Sequence, residues 1–106
     1  MINIVDMENY LENDLEEVFE KGVHVLKFYK DGCAPCKELT NELNQLFFDD
    51  RANATIYNTN VSKCPEVAGE YSIFSVPSLV FIKDGEVYHR HHGVIKKEEV
   101  LKQIQL

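Results

Sequence analysis

Four residues, Cys33-Ala34-Pro35-Cys36, carry the clearest chemistry in this chain. Two thiols at this spacing face each other across one helical turn, close enough to form a disulfide and to open it again. They follow a β-branched and aromatic run, Val23 to Tyr29, and precede a segment with helical spacing, Lys37 to Phe48. A strand, a CxxC and a helix in that order point to redox chemistry. Cys33 is expected at the first turn of the helix, where unpaired N–H groups and the helix dipole favour a thiolate, the attacking species. Cys36, one turn further in, is expected to be the more buried. Cys33 would then attack a disulfide, and Cys36 would attack Cys33 in the mixed disulfide and release the reduced product. Pro35 stiffens the loop between them.

The surrounding pattern supplies the elements that must hold this dithiol. Residues 2–5 suit a short strand. Leu11, Leu15, Val18 and Phe19 recur at helical spacing and predict an amphipathic helix from Met7 to Lys21, with Asp6 as N-cap and Gly22 as its stop. Val23 to Lys30 reads as a strand. Leu39, Leu43, Leu46 and Phe47 form the next apolar stripe and predict a helix reaching Phe48. Ala54 to Asn60 is β-prone, and Pro65 to Tyr71 suits a short helix. Ser78 to Lys83 is a nearly continuous apolar run, the mark of a central strand. Asp84-Gly85 is a two-residue hairpin turn leading into Glu86 to Gly93. Val100, Leu101 and Ile104 suggest a closing helix, for which Lys96 is a poor N-cap. The order βαβαβαββα calls for parallel strands crossed by helices and a terminal antiparallel hairpin, hence an α/β architecture with a mixed central sheet. No repeat or linker interrupts it, so 1–106 is expected to be a single domain.

Composition narrows the function classes. The 106 residues carry a formal net charge of -7, which argues against nucleic acid or an anionic membrane as the main partner. No apolar run approaches a membrane span. Met1 to Asp6 lacks a basic segment and an apolar core, so it is not expected to be a signal peptide. A cytoplasmic location is expected, where thiols are kept reduced and three cysteines are not a structural disulfide framework. A zinc or iron–sulfur half-site is the competing reading of the CxxC. It needs about four ligands, and only Cys64 and the histidines are available to complete it. Alternation puts His89 and His91 on one strand face and His92 on the other, which reads as a solvated edge strand rather than a metal site. Cys64, just before Pro65, reads as a passive thiol, with a regulatory thiol as the alternative. Asp14, Glu16, Glu17 and Glu20 read as a solvated acidic surface.

Phe28-Tyr29-Lys30-Asp31-Gly32-Cys33-Ala34-Pro35-Cys36-Lys37 resembles the active-site segment of the thioredoxin family. Val76-Pro77-Ser78 falls where that family carries its cis-proline. Phe81 to Glu86, followed by Gly93, resembles its terminal hairpin and the glycine after it. The resemblance covers nearly the whole chain. It implies the thioredoxin fold and a thiol–disulfide oxidoreductase that reduces protein disulfides. The Cys33–Cys36 disulfide would be the only redox centre, with no bound cofactor, no metal and electrons arriving from NADPH through a separate thioredoxin reductase. A monomer is expected. Val76 and Pro77 would face the dithiol, with the Val76 backbone holding an incoming peptide as an extra extended segment. Gly32, Ala34 and Pro35 would line one side of that groove, and His92 and Gly93 would border the other. A charge change on His92 near neutral pH would tune peptide binding.

The chain also departs from the family. Gly32 and Ala34 stand where the family usually has tryptophan and glycine, and Tyr29 stands where another tryptophan is common. Lys37 matches a common family residue and adds local positive potential. Lys27 takes the place of a buried aspartate behind the second cysteine, and Asn58 that of its lysine partner. The plain expectation is that Lys27 snorkels to the surface. The functional alternative is a cation near the dithiol that favours thiolate and makes the protein more oxidising. Two other functions compete with the reductase: a glutathione-coupled, glutaredoxin-like enzyme, and a protein-binding module in which the dithiol is incidental.

Overall fold

The computed structural model describes residues 1–105. Five strands form one mixed sheet in the order β1-β3-β2-β4-β5. They are β1 (Ile2–Asp6), β2 (Val23–Tyr29), β3 (Ala54–Asn60), β4 (Ser78–Lys83) and β5 (Glu86–His92). β1, β3 and β2 run parallel, β4 pairs antiparallel with β2, and β5 pairs antiparallel with β4. The helices are α1 (Leu15–Val18), α2 (Ala34–Asn44), α3 (Pro65–Glu70) and α4 (Lys97–Ile104). No helix among the described residues is long and apolar enough to cross a membrane.

Strand alternation sorts the core into two layers. Val25, Ile56, Leu79 and Phe81 project to one face and pack with Leu39 and Leu43 of α2 and Val100, Leu101 and Ile104 of α4. Their immediate neighbours Leu26, Tyr57, Val80 and Ile82 project to the other, against Met7, Phe19 and the α3 residues Val67 and Ala68. Both faces of β2 and β4 are therefore buried, which is why β4 reads as a nearly continuous apolar run. On the second face Tyr57 meets Tyr10 and Phe19 edge-on, each at 5.3 Å between centroids. His24 lies among them. Its Nε2 is 2.7 Å from the Lys21 carbonyl, which can only accept, so Nδ1 is left to accept from the Tyr57 hydroxyl at 2.8 Å.

Two helices differ from the sequence expectation. The helix expected from Met7 to Lys21 is broken into a 3-10 turn, Met7–Tyr10, and the short α1. Asp6 makes no side-chain cap. Instead Asp14 is extended, and its carboxylate accepts from the Glu16 N–H at 3.0 Å. An Asn13-Asp14 pair offers the backbone a local partner that competes with helix continuation. Helix α2 ends at Asn44, not Phe48. Beyond it the chain tightens into i→i+3 bonds, Leu46 to Leu43 and Phe47 to Asn44, so Leu46 stays buried while Phe48 turns outward, 87% exposed. The poor cap at Lys96 is remedied from outside α4: the Lys97 N–H donates to Glu42 of α2 at 2.8 Å. The Asp84-Gly85 turn has φ of +50° and +87°, the left-handed pair that a tight hairpin needs.

Candidate active site

The dithiol stands where β2 hands over to α2. Cys33 is the N-cap residue, with extended backbone, and its Sγ accepts from the Cys36 N–H at 3.2 Å. Pro35 lies in the first helical turn, where its missing N–H costs nothing. Cys33 and Cys36 are joined as a disulfide with their Cα atoms 5.2 Å apart. The expected difference in burial is small, since the residues are 7% and 4% exposed. What separates them is position. The Cys33 sulfur accepts from the Cys36 N–H at the helix start, so a charge released there on reduction is stabilised by the same hydrogen bond and by the dipole. Gly32, at φ +71°, makes the turn into the cap.

The sheet register brings the second half of the site to the same end. Ser78 pairs with Phe28 and with His92, so Pro77 lies beside the end of β2, from which the dithiol loop springs. The Val76–Pro77 bond is cis, and the Pro77 carbonyl accepts from the Gly93 N–H at 2.8 Å. Gly93 has φ +91°, and a Cβ there would meet nothing within 4 Å, so open space borders this segment. His92 is exposed but anchored. The fully buried Ser78 hydroxyl donates its one proton to the Ser75 carbonyl at 2.8 Å. It therefore accepts from His92 Nδ1 at 2.9 Å, which leaves Nε2 facing outward. Phe74, three residues before Pro77, is 94% exposed.

Lys27 does not snorkel. It is 5% exposed and shares the α2-side face of β2 with Val25. Its Nζ donates to Thr40 Oγ1 at 2.6 Å, and that hydroxyl donates to the Cys36 carbonyl at 3.0 Å. The Tyr29 ring lies 5.3 Å from the ammonium. Lys27, Cys33, Cys36, Thr40 and Asn58 together line a cavity of 270 Å³. Burial pushes the Lys27 ammonium below the usual lysine value, and the Asp6 carboxylate partly offsets this. Lysine is long enough to snorkel, but the Thr40 acceptor and the apolar wall of α2 hold it inside. Thr40 was not singled out in the sequence, where Ser78 stood only beside Pro77 and at a strand start, without the role of its hydroxyl. Thr40 is four residues after Cys36, the spacing at which a threonine bonds back to a carbonyl. Ser78 left no comparable signal, because its partners are set by strand register.

Cys64 is 2% exposed and caps no helix through its side chain. Burial pushes its thiol up, as do Glu8 and Asp6, with Lys63 opposing. It borders a larger cleft of 590 Å³ between α1 and α3, rimmed by Asp14, Glu16, Glu66 and Glu70. His89 lies tilted against Phe81, 5.4 Å between ring centroids, and His91 lies 3.4 Å from the Val94 carbonyl. No group of three or more His, Cys, Asp or Glu residues poised for a metal occurs among the described residues.

A disulfide seated on a helix start, at the end of a mixed sheet, defines a thiol–disulfide exchange protein. The family model described as Thioredoxin matches residues 3–106. A thioredoxin of Chlamydia trachomatis is 30% identical over 104 residues, spanning 98% of this chain and 96% of that protein. A thioredoxin of Staphylococcus epidermidis is 32% identical over 89 residues, 84% of this chain and 86% of its own length. The fold is also that of solved thioredoxins. One from Halobacterium salinarum has a TM-score of 0.80 at 23% identity, covering 98% of this chain and 88% of that one. One from Malassezia sympodialis has 0.79 at 18%, covering 99% and 94%. The chain belongs to the thioredoxin family and is a thiol–disulfide oxidoreductase.

Proposed function

We propose that the protein reduces disulfides in other proteins, with Cys33 as nucleophile and Cys36 as resolving thiol. The seating of Cys33 Sγ on the Cys36 N–H carries this assignment. It favours negative charge on Cys33 and gives that sulfur the better attacking form. In the reaction, the Cys33 thiolate attacks one sulfur of the target, and the other target sulfur leaves as a thiolate and takes up a proton. Cys36 then loses its proton and attacks Cys33. A Cys33–Cys36 bond forms, the mixed disulfide breaks, and the second target thiol departs. The target leaves with two electrons and two protons, and the protein is left oxidised.

The target segment lies along Val76 and Pro77, between Gly32, Ala34 and Pro35 on one side and His92 and Gly93 on the other. Gly32 offers no bulk to this rim. Lys37 contributes positive potential. Reduction of the spent disulfide by a flavin-dependent thioredoxin reductase fed by NADPH fits this family and needs no group bound to the chain itself. We place this cycle in the cytoplasm, carried out by a single-domain monomer that serves cellular redox balance and electron transfer.

Two experiments test the reading. Insulin disulfide reduction is followed in parallel with NADPH plus thioredoxin reductase and with glutathione plus its reductase. Turnover in the first arm is expected, and turnover in neither refutes the assignment. The Cys36→Ser variant is expected to accumulate mixed disulfides with target proteins, because the resolving step is lost. A variant that traps nothing would remove Cys33 from the nucleophile's role.

A further inference from the structure

The buried lysine behind the dithiol has no counterpart in the exchange steps above. It is fixed at one end of a chain of donors: Lys27 Nζ to Thr40 Oγ1, and Thr40 Oγ1 to the Cys36 carbonyl. Because the Thr40 proton is committed to that carbonyl, its oxygen can only accept from the lysine. Such a tie keeps Nζ on the dithiol's side of the sheet, in the cavity it shares with both cysteines. The groups around it come from five elements. Asn58 on β3 is its register partner, and Asp6 on β1 pairs with Asn58 one strand further out. Tyr29 lies along β2. Lys30 and Asp31 in the loop, and Lys37 on α2, line the same cavity. Asp6 is exposed and two strands away, and Asn58 is neutral, so no carboxylate ion-pairs directly with the lysine among the described residues.

A cation in that place acts differently on the two redox states. The disulfide is neutral and gains nothing from it. The reduced form carries a thiolate, which a cation lining the same cavity stabilises. We infer that Lys27, positioned by Thr40, sets the redox preference of this dithiol, favouring its reduced form and so making the protein a more oxidising exchange partner. Lys27 touches no substrate and acts as a positioning residue. This inference rests on the exchange reading of Cys33 and Cys36, though not on which proteins are the targets.

Glutathione supplies a balanced reference couple. With the thiolate stabilised, the reaction is protein disulfide plus two glutathione thiols giving one protein thiol, one protein thiolate, glutathione disulfide and one released proton. Without that stabilisation both sulfurs keep their protons and none is released. The equilibrium constant for reducing the protein therefore rises with pH from a lower onset when the lysine is present.

The test measures that constant between pH 5 and 9 for wild type, Lys27→Met and Lys27→Gln, beside the thiolate absorbance of Cys33 in each. Loss of the cation is expected to raise the Cys33 titration by about one pH unit and to lower the constant up to about tenfold above that onset, in proportion to the pKa change. Thr40→Val frees the ammonium and is expected to shift the onset in the same direction by less. A mere loosening of the core would leave the onset in place. Onsets and titrations equal to wild type in both lysine variants overturn the inference. Failure of the insulin assay with the onset shift intact would count against the target class alone.

Discussion

The Ser78 hydroxyl joins the cis-proline segment to the end of β5, and its removal has a calculable cost. Ser78→Ala deletes a bond to the Ser75 carbonyl at 2.8 Å and one from His92 Nδ1 at 2.9 Å. A hydrogen bond contributes about 0.5–1.5 kcal/mol net, so the pair is worth about 1–3 kcal/mol. Ser75 and His92 are both exposed, so their freed atoms reach water, and the lower half of that range applies. For a chain of this size a loss of about 1–2 kcal/mol lowers Tm by about 5–15 °C. His92→Ala deletes only the second bond and should cost about 0.5–1 kcal/mol. A double-mutant cycle then isolates the Ser78–His92 pair, with an expected coupling of about 0.5–1 kcal/mol. The assay is urea unfolding of the reduced proteins, so that the disulfide does not enter. If His92 holds its place in the groove through this bond, Ser78→Ala also raises KM for a protein disulfide about threefold to fivefold with kcat retained, the equivalent of under 1 kcal/mol of uniform binding. Additive single costs, with coupling below about 0.3 kcal/mol and KM unchanged, would refute the anchoring argument.

Two further outcomes follow from other parts of the molecule. Glu42→Ala uncaps α4, whose first N–H accepts no help from its own N-cap residue Lys96. It should cost about 1 kcal/mol, read as a lower urea midpoint with an unchanged slope, and Glu42→Gln should recover part of it. Stability should also decline above about pH 9. Burial, with Tyr10 adding to it, pushes the Tyr57 hydroxyl up to about 12, and burial raises Cys64, Tyr71 and Tyr88 as well. These groups keep their protons in the folded state after the unfolded chain has released them, so stability falls as pH rises through that window. Lys27 works the other way, since its lowered value makes the unfolded chain the better proton binder below the ordinary lysine pKa. Tyr57→Phe is expected to flatten the fall between pH 10 and 12, measured by urea midpoints across that range.

Much of the site was legible because it is built from local signals. The CxxC, the β-branched run before it and the apolar stripe after it lie within some 25 residues, and backbone period alone places the dithiol at a strand-to-helix junction. The turn at Asp84-Gly85 and the apolar run of β4 were equally local. Where local signals competed, reading by period failed. The stripe from Leu11 to Phe19 has helical spacing, yet Asp14 caps a fresh start in its middle. Leu46 continues the stripe of α2 although the helix has already ended.

The amino-acid order by itself determined the elements, their sequence along the chain and the identity of the reacting sulfurs, since each depends on residues a few positions apart. Tertiary structure alone decided what surrounds those sulfurs. Lys27 is buried because Thr40 of a packed helix accepts its ammonium. His92 is held because strand register sets it against Ser78, fourteen residues away. Helix α4 starts where it does because Glu42, from fifty-five residues earlier, supplies the cap. Each of these bonds joins groups whose distance in sequence carries no information about their distance in space, and only the closed sheet with its two covered faces brings them together.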